Sequence, residues 1–333
     1  MSKLRQRLEE YLAANNINAT IEPITPDAST REYFRFHSDG VSKVACVYPD
    51  DIKHLAHSYV DVTNVFLTND LPVASIVEFD DVRGVVVVED LGDSILRTEL
   101  EQKTAEERDS MIRDSIQMIA KIQSATASAA EAGSICSRLK FDVEKLMWEL
   151  NYFKIHYFTT YKKEPLDAEL DAALDEEFMS LSNQLDSMAT VLCHRDFHAA
   201  NIMVEDGGRL RIIDHQDARM GAPAYDLVSL LLDRVEEIPS DEWLNEMINF
   251  FHDSREALGL ESLDRKAFSH EFELQTIQRC LKAAGTFSFQ SSVRGKTYFI
   301  PFIKPMFRIS LQAAERLGSF SKLQNILREE INA

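Results

Sequence analysis

One segment restricts the possible folds of this chain more than any other. It runs Val191-Leu192-Cys193-His194-Arg195-Asp196-Phe197-His198-Ala199-Ala200-Asn201-Ile202-Met203-Val204, and Leu210-Arg211-Ile212-Ile213-Asp214-His215-Gln216-Asp217 follows. An apolar strand delivers His194-Arg195-Asp196, and Asn201 comes five residues after the aspartate. A hairpin then leads to a second apolar strand ending in Asp214. Taken singly, each polar residue reads as a turn or cap residue. Three unrelated turn roles do not predict this joint spacing.

The text around that segment changes character once. A helix fits about 3–15, followed by strands near Tyr33–Phe36 and Lys43–Tyr48 with His37-Ser38-Asp39-Gly40 as the turn. A helix fits about 52–68, since Leu55, Tyr59, Val62 and Phe66 fall at helical spacing. Strands at 74–79 and 84–89 complete a sheet, and the continuous run Val85–Val88 reads as its central, doubly covered member. From Thr98 onward the pattern is mostly helical, so the boundary falls near Glu89–Asp93. The expectation is an α+β chain with a β-rich lobe over 1–90 and a larger, mostly helical lobe over 91–333.

Charge and cysteine usage narrow the partners. The 333 residues carry 36 Lys+Arg against 55 Asp+Glu, a formal net charge of −19. Sequence-independent nucleic-acid binding needs clustered Lys and Arg to neutralise phosphates, and an anionic membrane surface needs the same. Neither partner is expected. No apolar run approaches the ~20 residues that span a bilayer, and the opening MSKLRQRLEEYLAANN lacks the apolar core of a secretory signal. Cys46, Cys136, Cys193 and Cys280 form no CxxC pair, which indicates neither a zinc ribbon nor a disulfide framework. A cytoplasmic monomer acting on a small molecule is expected.

The spacing in the central segment suits phosphoryl transfer. That reaction needs one carboxylate to take the acceptor hydroxyl's proton, plus an Asn and an Asp to hold Mg²⁺ on the triphosphate. H-R-D-x-x-x-x-N followed by a strand-terminal Asp is the protein-kinase pattern, although His215-Gln216 stands here in place of Phe-Gly. His194 reads as a structural residue orienting the loop. His198 either touches substrate or is a solvated loop residue. The rival reading takes His194, Asp196, His198, Asp214 and His215 as metal ligands of a hydrolase, but it leaves Asn201 unexplained.

Phe197-His198-Ala199-Ala200-Asn201 and Gly221-Ala222-Pro223-Ala224-Tyr225-Asp226-Leu227 resemble the aminoglycoside phosphotransferase/choline kinase family of small-molecule kinases. Asp27-Ala28-Ser29-Thr30-Arg31-Glu32-Tyr33-Phe34-Arg35, Glu89-Asp90-Leu91-Gly92 and Glu273–Lys282 are similar to the bacterial N-acetylmuramate/N-acetylglucosamine anomeric kinases within it. The resemblance implies a protein-kinase-like two-lobe fold, ATP and Mg²⁺. It implies Asp196 as catalytic base, Asn201 and Asp214 as Mg²⁺ ligands, and Glu89-Asp90-Leu91 as the hinge whose backbone holds adenine. Asp226 is then structural, and the acceptor is the anomeric hydroxyl of an N-acetylated amino sugar. A kinase of an aminoglycoside, a choline-like amino alcohol or homoserine stays open beside it, as does a nucleotide-binding regulator without catalysis.

The chain departs from the family at the third strand, where Val44-Ala45-Cys46-Val47 lacks the expected lysine. Another cation must neutralise the phosphates. Arg31 and Arg35, beside Ser29 and Thr30, are the candidates, with solvated strand-edge residues as the alternative. On the acceptor side, Gln216 and Asp217 can read sugar hydroxyls. A helix near 266–286 offers Glu271, Gln275, Gln278, Arg279 and Lys282. Arg279 meets either a lactyl carboxylate or an internal partner. Trp148, Tyr152, Phe153 and Tyr157 form either a sugar wall or core.

Overall fold

A computed structural model describes residues 2–24 and 31–332. Helix α1 (Lys3–Ala14) is capped by Ser2, whose hydroxyl accepts the Arg5 amide. Five antiparallel strands follow: β1 (Ile21–Ile24), β2 (Glu32–Ser38), β3 (Val41–Val47), β4 (Ile76–Asp80) and β5 (Val85–Glu89), in spatial order β1-β2-β3-β5-β4. The β2–β3 turn is Asp39-Gly40, with φ of 55° and 77°. Positive φ at both central residues is the geometry that matches strand twist.

The alternation of β3 and β5 explains why these strands are apolar throughout. Ala45, Val47, Val85 and Val87 face Leu8, Tyr11 and Leu12 of α1. Cys46, Val86 and Val88 face the other way, against Ala56 of α2 (Leu55–Thr68), Leu91 and Met203. Both faces of the sheet are covered, so the period-2 signal vanishes in its centre.

The rest of the chain is mostly helical: α3 (Leu96–Gln102), α4 (Ala105–Ser124), α5 (Thr126–Glu131), α6 (Ile135–Arg138), α7 (Val143–Lys154) and α8 (Ala168–Met188). A π-helical stretch, Ile155–Lys162, continues α7. The short strands β6 (Val191–Cys193), β7 (Ile202–Val204), β8 (Leu210–Ile212) and β9 (Arg219–Gly221) come next. Helices α9 (Tyr225–Leu232), α10 (Asp241–Ala257), α11 (Arg265–Val293), α12 (Ile303–Leu317) and α13 (Ser321–Asn332) complete the chain. No helix among the described residues is long and apolar enough to cross a membrane.

The chain divides into two compact units. The sheet unit holds residues 1–111, 127–136 and 199–218, and the helical unit holds 112–126, 137–198 and 219–333. The sheet unit therefore reaches past the handover expected at residue 90. The cause is the β7–β8 hairpin, whose Ile212 amide donates to Pro72 O at 2.8 Å and whose Val204 amide donates to Ser94 O at 2.9 Å.

In the helical unit, α11 is 29 residues long and buries Phe268, Phe272, Ile277, Leu281 and Phe287. It also buries Glu271, Gln275, Gln278 and Arg279, so its apolar stripe is incomplete. Gly285 lets it lie against α7: a Cβ there would stand 2.7 Å from the Phe153 Cα. Phe153 and Tyr157 belong to this core, whereas Trp148 is 55% exposed. Those two aromatics are core, and the wall reading survives for Trp148 and the half-buried Tyr152.

Candidate active site

In the helical unit, β6 ends at Cys193 and the chain turns sharply. Arg195 adopts φ 87°, a left-handed conformation that non-glycine residues rarely take. Asp226, fully buried at the start of α9, holds the turn: one carboxylate oxygen accepts the His194 amide at 2.6 Å, the other the Arg195 amide at 3.1 Å. Burial pushes the Asp226 carboxyl above its ordinary range, against the pull of His194 and the two amides. His194 is fully buried, and its Nδ1 accepts the Asp196 amide at 3.3 Å. It stands edge-on to Phe197 with ring centroids 5.5 Å apart. His194 and Asp226 thus both bond the backbone of the turn that carries Asp196.

Asp196 emerges from the turn into a cluster of cations. Its Oδ1 accepts from Lys282 Nζ at 3.0 Å and lies 3.9 Å from Arg279 NH1, and Arg195 Nε is 3.7 Å from Oδ2. Burial alone would raise this carboxyl. Lys282, Arg195, Arg279 and His198 outweigh it and hold Asp196 well below the usual carboxylate range. A carboxylate held ionised in this way can accept and orient a hydroxyl hydrogen. Arg279 is itself internal, donating to Ser229 Oγ at 2.6 Å and Tyr225 Oη at 3.3 Å. Its contacts here are with the protein itself. Burial lowers the Lys282 ammonium, with Arg279 adding to the effect and Asp196 and Glu149 opposing it.

Lys282, which the sequence offers on the acceptor side, meets Asp196 here, and Glu149 joins it without a sequence assignment. Glu149, on α7, is fully buried and stands 3.9 Å from Lys282 Nζ. The signal for Lys282 is the run Gln275, Gln278, Arg279, Lys282, which falls at i, i+3, i+4 and i+7 along one helix face. A polar stripe in a core helix must be answered by polar partners.

In the sheet unit, the Ile213 amide donates to Asn201 O at 3.1 Å, which ties Asn201 to the end of β8. Asp214 follows, in the left-handed region at φ 63°. Its Oδ1 accepts from Arg31 NH2 at 2.9 Å and from Gln216 Nε2 at 3.0 Å, and Gln216 also reaches Asp217 at 3.5 Å. Gln216 and Asp217 thus sit with Asp214, as their spacing suggests. Arg31 is nearly buried, with Tyr33 and Tyr48 rings each 5.6 Å from its guanidinium. The neighbouring Ser29 and Thr30 lie outside the described residues. Behind Asp214, His215 Nε2 meets Thr63 Oγ1 at 2.7 Å and its ring stacks on Phe66.

Arg35 has a different environment from Arg31. It forms a fork with Asp90, Nε to Oδ2 at 2.6 Å and NH2 to Oδ1 at 2.9 Å, and reaches Asp93 at 2.9 Å. Asp90 also accepts Ser42 Oγ at 2.5 Å and the Gly92 amide at 3.1 Å. Burial works against ionisation of Asp90, but the Arg35, Ser42 and Gly92 hydrogen bonds prevail and lower its pKa. Glu89 pairs with Arg211 at 2.7 and 3.1 Å, which lowers the Glu89 pKa despite partial burial. Leu91 is buried. All three side chains of Glu89-Asp90-Leu91 are therefore engaged by the protein itself.

Oxygen donors such as Asn201 and Asp214 are what Mg²⁺ takes, with water and phosphate oxygens completing its shell. The neighbourhood keeps an unsatisfied oxygen as well: Gln216 Oε1 is buried without a hydrogen-bond donor among the described residues. The donor set fits the ion.

Residues 20–260 match the model of the phosphotransferase enzyme family. An N-acetylmuramate/N-acetylglucosamine kinase of Neisseria meningitidis serogroup B is 29% identical, over 98% of this chain and 96% of its own length. One of the same name from Caulobacter vibrioides is 25% identical, over 84% of this chain and 75% of its own. Among solved structures, an ADP-bound aminoglycoside phosphotransferase superposes with a TM-score of 0.57 at 15% identity, covering 93% of this chain and 98% of its own. At that identity the likeness shows the fold.

Proposed function

The chain belongs to the phosphotransferase enzyme family, and on that footing we propose that it moves the γ-phosphoryl group of ATP to a hydroxyl of an amino sugar. The observation that carries this reading is near-full-length similarity to a kinase named for N-acetylmuramate and N-acetylglucosamine. The acceptor is the anomeric 1-hydroxyl of such a sugar, and the product is a sugar 1-phosphate.

Asp196 takes or orients the proton of the acceptor hydroxyl. Its loop is held by Asp226 and His194, so the carboxylate is fixed before substrate arrives. His198 lies two residues from the base and contacts the acceptor. Asn201 and Asp214 would hold Mg²⁺, with Gln216 and Asp217 orienting them. When bound, Mg²⁺ supplies positive charge to the triphosphate oxygens. Arg31 stands in for the absent third-strand lysine, because it reaches Asp214 from the start of β2. Ser29 and Thr30, which precede Arg31 in the sequence, add hydroxyls for the phosphates. Arg35 acts indirectly by fixing Asp90 within the segment whose backbone holds adenine.

A panel of N-acetylated hexosamines, neutral hexoses, aminoglycosides and amino alcohols, assayed for ADP release, tests the acceptor class. Phosphorus NMR of the product then shows which oxygen carries the phosphate. ADP release confined to amino alcohols or aminoglycosides, or phosphate on any oxygen but O1, overturns the respective part of the reading.

Arg31→Met is expected to raise the KM for ATP about tenfold, the loss of one charge-assisted hydrogen bond worth roughly 1.5 kcal/mol. Steady-state kinetics at saturating Mg²⁺ measures it. An unchanged KM leaves Arg31 as a partner of Asp214 alone.

A further inference from the structure

The polar stripe of α11 has no role in the mechanism so far. Gln278 Nε2 donates to Glu149 Oε2 at 2.8 Å, and Gln275 donates to Gln278 at 2.9 Å. The other oxygen of Glu149, Oε1, is buried without a hydrogen-bond donor among the described residues. It stands 3.9 Å from Lys282 Nζ and 3.7 Å from Lys145 Nζ. One ammonium therefore lies between two carboxylates. It is bonded to Asp196 at 3.0 Å and lies beyond hydrogen-bond range of Glu149.

We propose that Lys282 and Glu149 form a positioning pair that lets Asp196 change charge: Lys282 donates to Asp196 while that carboxylate is ionised, and moves to Glu149 Oε1 as Asp196 takes the acceptor's proton. The inference rests on the reading of Asp196 as proton acceptor. A base held far below its ordinary range is poorly matched to receiving a proton. The groups facing Lys282 are Asp196 and Arg195 from the loop, Glu149 and Lys145 from α7, and Arg279 from its own helix. Among the cations acting on Asp196, Lys282 is the strongest. Its withdrawal relieves that depression while the proton transfers. Once Asp196 is neutral, Glu149 supplies the ammonium's counter-charge, so no buried cation is left uncompensated. The movement needed is about 1 Å, the difference between the 3.9 Å separation and an ordinary hydrogen bond. When the phosphorylated product leaves and Asp196 releases the proton, Lys282 returns.

The test uses the full chain with ATP and a sugar that the wild type accepts. Lys282→Met is expected to lower kcat about thirty-fold with the KM for ATP within two-fold, less than the 10²–10⁴ of a whole proton-transfer contribution because Asp196 itself remains. The acid limb of its kcat/KM profile should move to higher pH, because the cation that most depresses Asp196 is gone. Glu149→Gln is expected to lower kcat about tenfold, and the double variant to be no worse than Lys282→Met alone, since the two act as a unit. Lys282→Arg should recover part of kcat and the wild-type acid limb. Near-wild-type kcat in Lys282→Met, multiplicative losses in the double variant, or Lys282→Arg no better than Lys282→Met each overturn the pairing. If Lys282→Met does not fold, as a melting curve will show, Glu149→Gln decides, and undiminished kcat there overturns it equally. Asp196→Asn separates the two levels. If it turns over normally, the reading of Asp196 fails. If it is inactive while Lys282→Met is unaffected, only the pairing fails.

Discussion

Asp196→Asn is expected to lower kcat by about a thousandfold or more, since the carboxamide cannot accept the hydroxyl's proton. Mg·ATP affinity should stay within a few-fold, because none of the partners of Asp196 named above is a proposed nucleotide or metal ligand. Single-turnover kinetics and isothermal titration calorimetry measure the two quantities separately. Asparagine also removes the negative charge that faces Lys282, Arg279 and Arg195. Leaving buried cations short of a partner destabilises by about 3–5 kcal/mol in extreme cases. The melting temperature should therefore fall, although Glu149 still offsets Lys282. Turnover retained on every sugar tested would remove Asp196 from the chemistry.

Asp226→Ala is the second large effect. It strips hydrogen bonds from a buried amide, that of His194, and a half-buried one, that of Arg195. Each unsatisfied buried donor costs about 1–3 kcal/mol. The left-handed Arg195 stores a further roughly 1–3 kcal/mol of strain, which the carboxylate restrains. Without it the turn relaxes and carries Asp196 away from its aligned position. We expect kcat to fall about a hundredfold, as misplacement by an ångström can do, and the melting temperature to drop by several degrees. Asp226→Asn keeps one acceptor and should fall between variant and wild type. An Asp226→Ala enzyme with wild-type kcat would show that the loop is held by other means.

How much of this was legible from the residues depended on sequence distance. The β2–β3 hairpin and β5 were readable because Asp39-Gly40 and the continuous apolar run Val85–Val88 are local signals. The four-residue β1 was not read, since Ile21–Ile24 is too short for alternation and contains Pro23. Asp196, Asn201 and Asp214 lie within nineteen positions of one another, so one motif exposes them. Arg35 shows the limit. It reads as a phosphate ligand beside Arg31, yet Asp90, 55 positions away, engages it through the register that sets β5 beside β3. Likewise Glu149 is 129 positions from Gln278, and only the packing of α7 on α11 brings them together. Pairings made by packing leave no spacing to read.

That packing rests on Gly285, where the backbones of α11 and α7 come so close that a methyl group has no room. A helix pinned at such a point cannot slide or roll to suit a new ligand. Substitutions along α11 therefore exchange side chains at fixed stations against α7. Glycine in the middle of this helix, costly for helix formation, is what keeps those stations where they are. A graft of α11 into a related scaffold should keep this packing only if the recipient offers the same bare backbone opposite residue 285.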